Sequence, residues 1–281
     1  MNNVIMYDHV AGNCSKSVAR AYSTSFFSAI NLLRKDLRTP VCAIYGMVRL
    51  ADEIVDTFHD HDKKTLLKHF KEDTFRAIDD KISLNPILQS FQQTVHQYQI
   101  DRELIVAFFN SMETDLDQQS CFTQAEYQQY IYGSAEVVGL MCLSVFCKGN
   151  KKQFETLKGY ARALGAAFQK INFLRDLQSD VDDLERAYFP DFQKNRFDEF
   201  EKQKIEDDIE EDFKMAYKGI KLLPLSARFG VYVAYKYYLA LFKKVKRTHP
   251  QVILAKRIRI SNHMKLVIVC KAGLRNQLNL I

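Results

Sequence analysis

Apolar residues recur along this chain at the three- and four-residue spacing of helices nearly from end to end, and no stretch alternates apolar with polar as a half-buried strand would. The period and its punctuation predict helices over about 15–34, 38–58, 63–79, 84–98, 101–117, 124–147, 151–182, 198–222, 225–247 and 261–275. Ten glycines and five prolines are few breakers for 281 residues, and no internal repeat or low-complexity tract divides the pattern. The expected architecture is therefore all-α, one helical bundle in a single domain over residues 1–281. Its longest predicted loop is "DLERAYFPDFQKNRF", from residue 183 onward.

Two of these helices carry more than a core stripe. At 100° per residue, Ile44, Met47, Val48, Ala51, Ile54, Val55 and Phe58 share one arc of the second helix, while Tyr45, Arg49, Asp52, Glu53, Asp56 and Asp60 share another. In "LGAAFQKINFLRDLQSDVDD", Gly165, Gln169, Asn172, Asp176, Asp180 and Asp183 fall on one stripe, flanked by Phe168, Phe173 and Arg175. Both segments repeat one design, D-x-x-x-D with an arginine close before the first aspartate. A lone acidic pair on a helix is ordinarily a solvated face. The second pair differs, because Leu164, Ala167, Phe168, Ile171, Phe173, Leu174 and Leu177 surround its helix and mark it as central. Aligned carboxylates in such a place repel and resist desolvation unless a cation joins them. Aspartates on successive turns suit a hard ion such as Mg²⁺, which keeps water and takes phosphate oxygens as its other ligands. Arg49 and Arg175 suit the phosphate oxygens that remain. The combination points to a metal-bridged diphosphate.

Composition narrows the class. A hydrophobic share of 47% is enough for a substantial core. Forty basic against 34 acidic residues give a net charge of +6, too small and too dispersed to call for a nucleic-acid partner. Six cysteines (Cys14, Cys42, Cys121, Cys142, Cys147, Cys270) form no C-x-x-C pair, and "MNNVIMYDHVAGN" lacks the basic start and apolar run of a secretory signal, so reduced thiols and a cytoplasmic location are expected. The longest apolar candidate for a membrane span, from Leu222, contains Pro224, Arg228 and Lys236, and "VVGLMCLSVFC" is too short to cross, so no transmembrane anchor is expected. His59 and His61 in "FHDHDKK" stand two apart and do not converge on a metal, so zinc is not expected. The basic runs "FKKVKRTHP" and "AKRIRIS" serve as helix-end charges or as a surface patch.

Four blocks, in order, carry a family resemblance: "YSTSFFSAINLL" (22–33), "AIYGMVRLADEIVD" (43–56), "YIYGSAEVVGLM" (130–141) and "LGAAFQKINFLRDLQSDVDDLERAYFP" (164–190). With a weaker block from 237 to 261, the chain resembles the squalene and phytoene synthases, and is most similar to the bacterial phytoene synthases. The resemblance implies an isoprenoid-synthase helical bundle around a central apolar cavity. It implies Mg²⁺ or Mn²⁺ held against diphosphates by Asp52, Asp56, Asn172, Asp176 and Asp180, with Arg49 and Arg175 facing the diphosphates. It places Tyr22, Ser23, Ser25, Tyr132, Gln169, Asn172, Arg186, Tyr188 and Tyr238 at the substrate. Glu53 stands where many relatives have aspartate, Ser179 where many have glutamate, Glu136 where glycine is common, and Tyr22 where some have histidine.

The implied reaction ionises one geranylgeranyl diphosphate, alkylates it with a second to a cyclopropyl diphosphate, and ends by ionisation, rearrangement and proton loss to phytoene. No NADPH is expected. Twenty Phe and 14 Tyr, with no Trp, supply rings to line a cavity through which a carbocation passes, although most helical aromatics are simply core. Two alternatives remain: joining of farnesyl diphosphates to squalene or dehydrosqualene, and a non-catalytic helical scaffold. The scaffold accounts for the apolar stripes but not for two arginine-flanked acidic rows. A lipophilic substrate and product also imply weak peripheral contact with the inner membrane face through the basic runs.

Overall fold

A computed structural model of the chain describes residues 3–117, 123–182, 188–190, 192 and 194–278. The helices are α1 Asn3–Tyr22, α2 Thr24–Ile30, α3 Lys35–Asp56, α4 Lys63–Asp80, α5 Pro86–Tyr98, α6 Arg102–Asp117 and α7 Gln124–Ile131. A π-helical turn, Tyr132–Glu136, leads into α8 Val137–Cys147, followed by α9 Lys151–Asp182. After a 3₁₀ turn at Lys194–Arg196 come α10 Glu199–Leu222, α11 Leu225–Lys246, α12 Pro250–Ile253 and α13 Asn262–Gln277. No strand occurs among the described residues. The all-α expectation holds, and most predicted helix ends fall within a few residues of the observed ones.

The helix starts have local causes. Asn85 accepts from the Ile87 amide ahead of α5, whose first residue is Pro86, and Thr123 with Glu126 forms a reciprocal capping box ahead of α7. The first helix departs from expectation. It starts at Asn3 and stops at Tyr22, where the pattern predicted one helix over 15–34. Ser23 is extended, and its hydroxyl accepts from the Phe26 amide at 3.2 Å, so it caps α2 instead of continuing α1. Apolar periodicity is blind to this, because a serine oxygen competes with the helix for a backbone donor.

The π turn fuses α7 and α8 into a continuous stretch, Gln124–Cys147, which is long and apolar enough by length and composition to cross a membrane. This corrects the expectation drawn from "VVGLMCLSVFC" alone. Most of its apolar window is buried inside the bundle, as in the core helix of a globular protein. It packs on α9 at very short range. A β-carbon on Gly165 would stand 2.6 Å from the Ala135 carbonyl oxygen, and one on Gly139 would stand 2.8 Å from that of Ala161.

Two helices organise the rest. α9 is packed by α7, the π turn, α8, α10, α11 and α12, while α3 is packed by α1, α2, α4, α5, α6 and α8. On the side of α9 facing α10, buried Lys170 pairs with Asp208 at 2.6 Å and Asp212 at 2.7 Å, so its charge enters the core fully partnered. The cysteines among the described residues are all free, and Cys121 lies outside those residues.

Candidate active site

A cavity of about 530 Å³ separates α3 from α9. Both helices line it along their length. Their first halves contribute Val41 and Ile44 from α3, and Leu157 and Leu164 from α9; their last two turns contribute Asp52 and Asp56, and Asp176 and Asp180. The cavity is thus apolar at one end and acidic at the other. Phe26, Tyr45, Tyr130, Phe173, Tyr188 and Tyr238 supply ring faces between the two. Tyr238 stacks on Phe168 with centroids 3.8 Å apart, and its hydroxyl donates to Asn172 Oδ1 at 3.4 Å.

On the α3 side of the acidic end, negative charge is penalised at Asp52. Asp56 is the last residue of α3, where the helix dipole already presents its negative end. Burial, then Asp56 and Asp115 against the pull of Arg49, push the Asp52 carboxyl up to about 7. Across the cavity, Asp176 sits between two guanidinium groups: Arg175 Nε donates to Oδ1 at 3.0 Å, and Arg257 Nε lies 2.7 Å from the same oxygen. Burial works against the charge on Arg175, but Asp176 outweighs it and raises its pKa. Burial lowers that of Arg257, with Asp176 opposing and Arg175 adding to the fall.

Arg49 pairs with buried Glu53 and lies 4.4 Å over the Tyr22 ring. Its buried Nε has no hydrogen-bond partner among the described residues, which leaves a donor for a bound anion. Glu53 is thus spent on positioning Arg49. Ser179 is also turned inward on its own helix, its hydroxyl donating to the Asp176 carbonyl at 2.9 Å.

Of the residues expected at a substrate, Tyr22, Ser23, Gln169, Asn172, Tyr188 and Tyr238 line the cavity, as do Arg49 and Arg175. Ser25 and Tyr132 do not, and Arg186 lies outside the described residues. Helical geometry explains Tyr132. Residues two apart stand about 200° apart on a helix, so Tyr130 takes the cavity side and Tyr132 turns outward, 5.3 Å beneath Arg162. Glu136 shares that outer face and, instead of facing solvent freely, is half-buried and paired with Arg162.

Three lining residues escape sequence reasoning. Arg257 belongs to the run "AKRIRIS", where nothing local distinguishes it from a surface charge. Asp115, on α6, accepts from the Tyr130 hydroxyl at 2.7 Å and the Tyr188 hydroxyl at 3.4 Å. Tyr130 itself stood in a quoted block, two places from the residue chosen.

The model of the squalene/phytoene synthase family matches residues 19–198, well over half of the chain. The chain belongs to this family. It is 28% identical over 204 residues to a 4,4'-diapophytoene synthase of Staphylococcus haemolyticus, covering 69% of this chain and 66% of that protein. It is 25% identical over 167 residues to a phytoene synthase of Mycobacterium tuberculosis, covering 59% and 53% respectively. The matches thus span about half to two thirds of these relatives' lengths. Among solved structures, a dehydrosqualene synthase superposes with a TM-score of 0.80 at 18% identity, covering 96% of this chain and 98% of the other. A squalene synthase from Alicyclobacillus acidocaldarius gives 0.74 at 17% identity, covering 85% and 94%. At these identities the structures support the fold.

The donor set at the acidic end of this squalene/phytoene synthase family member fits a hard divalent ion. Every candidate ligand is an oxygen, from Asp52, Asp56, Asp176, Asp180 or Asn172, and among the described residues no three acidic, histidine or cysteine side chains converge as a ready-made cage. Such an ion would complete its shell with water and the oxygens of a bound anion.

The raised Asp52 pKa makes a testable statement about the metal-free protein. Its folded value of about 7 exceeds the unfolded one, so the folded state binds the extra proton and ionisation of Asp52 destabilises the fold. Asp52→Asn is therefore expected to leave stability unchanged below about pH 4, to raise it progressively between about pH 4 and 7, and to hold a gain of about 1–3 kcal/mol above that. Thermal melts in EDTA across this range check it. A loss of stability at pH 8 would contradict the electrostatic account.

Proposed function

We propose that this chain joins two prenyl diphosphates head to head. The observation that carries this reading is the pairing of two arginine-flanked carboxylate rows at one end of a cavity whose other end is apolar and aromatic. A diphosphate fits the acidic end once cations accompany it, and its hydrocarbon tail fits the other. Asp52, Asp56, Asn172, Asp176 and Asp180 would hold Mg²⁺ or Mn²⁺, which when bound would supply the positive charge that helps diphosphate leave. Arg49, Arg175 and Arg257 donate to the diphosphate oxygens that remain, and they hold the departed anion away from the carbocation. Tyr45, Phe168, Phe173 and Tyr238 offer ring faces that stabilise the cation without attacking it, and their bulk excludes water. The mutually hydrogen-bonded Tyr130, Tyr188 and Asp115 keep the polar atoms of the wall occupied.

The substrate of this reading is geranylgeranyl diphosphate, joined through a cyclopropyl diphosphate to phytoene by a final proton loss. The phytoene synthases among the relatives support it. A second reading, two farnesyl diphosphates joined to dehydrosqualene, draws on the higher identity to the diapophytoene synthase. Both end without a reductant. Incubation with each prenyl diphosphate and Mg²⁺, with and without NADPH, followed by mass analysis of the hydrocarbon, is expected to give phytoene from geranylgeranyl diphosphate at a rate NADPH does not change. Dehydrosqualene alone would favour the second reading. Cyclopropyl diphosphate that accumulates until NADPH is added would place the chain with the reductive branch, and consumption of neither substrate would refute the proposal.

A further inference from the structure

The net charge of +6 conceals a sharp division that corrects its apparent dispersion. From residue 213 to the last residue, 281, the chain has fifteen lysines and arginines and no aspartate or glutamate, so the preceding residues are net negative. Within this basic quarter of the chain, α13 is unusual in being apolar on both sides. Ile268 and Ala272 are buried on the side facing the bundle, where α13 packs on α11. On the other side Leu266 is 65%, Leu274 62% and Leu278 67% exposed, with Val267, Cys270 and Met264 exposed beside them. Residues 266, 270, 274 and 278 are spaced by four and form one stripe.

Cations frame that stripe. Lys271 and Arg275 are exposed on α13 itself, and Lys243 is exposed on α11. Lys236 on α11 lies within their influence: burial, then Lys243 and Arg275, lower its pKa. Neither helix contains an acidic residue. The stripe also has a definite position relative to the cavity. Lys265, at the start of α13, donates to Thr24 Oγ1 at 2.9 Å, and Thr24 directly follows Tyr22 and Ser23 of the cavity wall.

We infer that the outer face of α13 docks the protein on an anionic lipid surface, with its leucines in the acyl boundary and Lys271, Arg275, Lys236 and Lys243 against the headgroups. An exposed apolar stripe costs free energy in water and gains it in the bilayer interface, and an acid-free basic frame selects anionic over neutral lipid. A protein partner would need acidic groups around an apolar ridge; a nucleic acid would use the cations but not the leucines. The membrane uses both. Docking on this face sets the cavity-wall residues Tyr22 and Ser23, which directly precede Thr24, close to the bilayer. The binding itself does not depend on the proposed reaction, although a lipophilic substrate and product would give it a purpose.

Flotation of the full chain with vesicles tests this. With vesicles of 30% phosphatidylglycerol in phosphatidylcholine at low salt, most of the protein is expected to float. Pure phosphatidylcholine, or 0.5 M NaCl, is expected to cut binding at least tenfold. The double variants Leu266→Glu/Leu274→Glu and Lys271→Glu/Arg275→Glu should each lose binding at least tenfold while keeping wild-type helicity by circular dichroism. Turnover of prenyl diphosphate in detergent, measured on the same variants, separates failure of docking from failure of the proposed reaction. Equal binding to neutral and anionic vesicles, or binding unaffected by the leucine changes, would overturn the inference. So would a concentration-dependent dimer abolished by Leu266→Glu/Leu274→Glu, since a second copy would then cover the face, or tighter binding to duplex DNA than to the anionic vesicles.

Discussion

Asparagine in place of Asp56 or Asp176 is expected to lower turnover of prenyl diphosphate by at least a hundredfold, with the helical fold intact. The substitution keeps shape and volume and removes one negative charge, so it weakens the hold on a divalent ion without opening a cavity. The two sites should differ in detail. Asp56 is exposed at the end of α3, and its loss should be felt mainly through the metal, as a higher Mg²⁺ requirement. Asp176 also anchors Arg175 and Arg257, so its replacement frees two guanidinium groups and should disturb substrate binding as well as kcat. Single-turnover and steady-state kinetics over a Mg²⁺ titration would separate the two. Wild-type turnover in both variants would remove the carboxylate rows from the chemistry.

The second large effect concerns the wall of the cavity. Gly165→Ala is expected to destabilise the protein by about 3 kcal/mol, a fall of about 6–12 °C in Tm. The new methyl would lie 2.6 Å from the Ala135 carbonyl oxygen and 3.1 Å from the Glu136 α-carbon, and both are backbone atoms of the π turn that cannot rotate aside. Gly159→Ala, two turns earlier on the same helix, is the control. It is exposed and a methyl there meets nothing within 4 Å, so the better helix propensity of alanine should leave stability unchanged or raise it by up to about 1 kcal/mol. Equal and small effects at the two glycines would show that the contact between α9 and the π turn is slack.

Much of this was legible without coordinates. The 3.6-residue period of apolar positions is imposed by backbone geometry within each helix, so it predicted an all-α chain and put Asp52 with Asp56, and Asp176 with Asp180, on shared stripes. The stripe of α9 could be judged functional because apolar residues surround it, and a core carboxylate requires a partner. A helical wheel also held the information that Tyr130 and Tyr132 face opposite ways, although the motif led to Tyr132, which does not line the cavity.

What the wheel cannot hold is which separate stripes meet. That α3 and α9 present their acidic ends to one end of one cavity, that Arg257 reaches Asp176 across 81 residues of chain, and that Asp115 on α6 gathers Tyr130 and Tyr188 are consequences of packing between helices. The break at Ser23 and the π turn at Tyr132–Glu136 belong to the same class, since each settles a competition between near-equal local hydrogen-bond patterns. Local periodicity therefore determined the helices and their faces; tertiary contact chose the neighbours, because contact energy depends on distances that sequence separation does not specify.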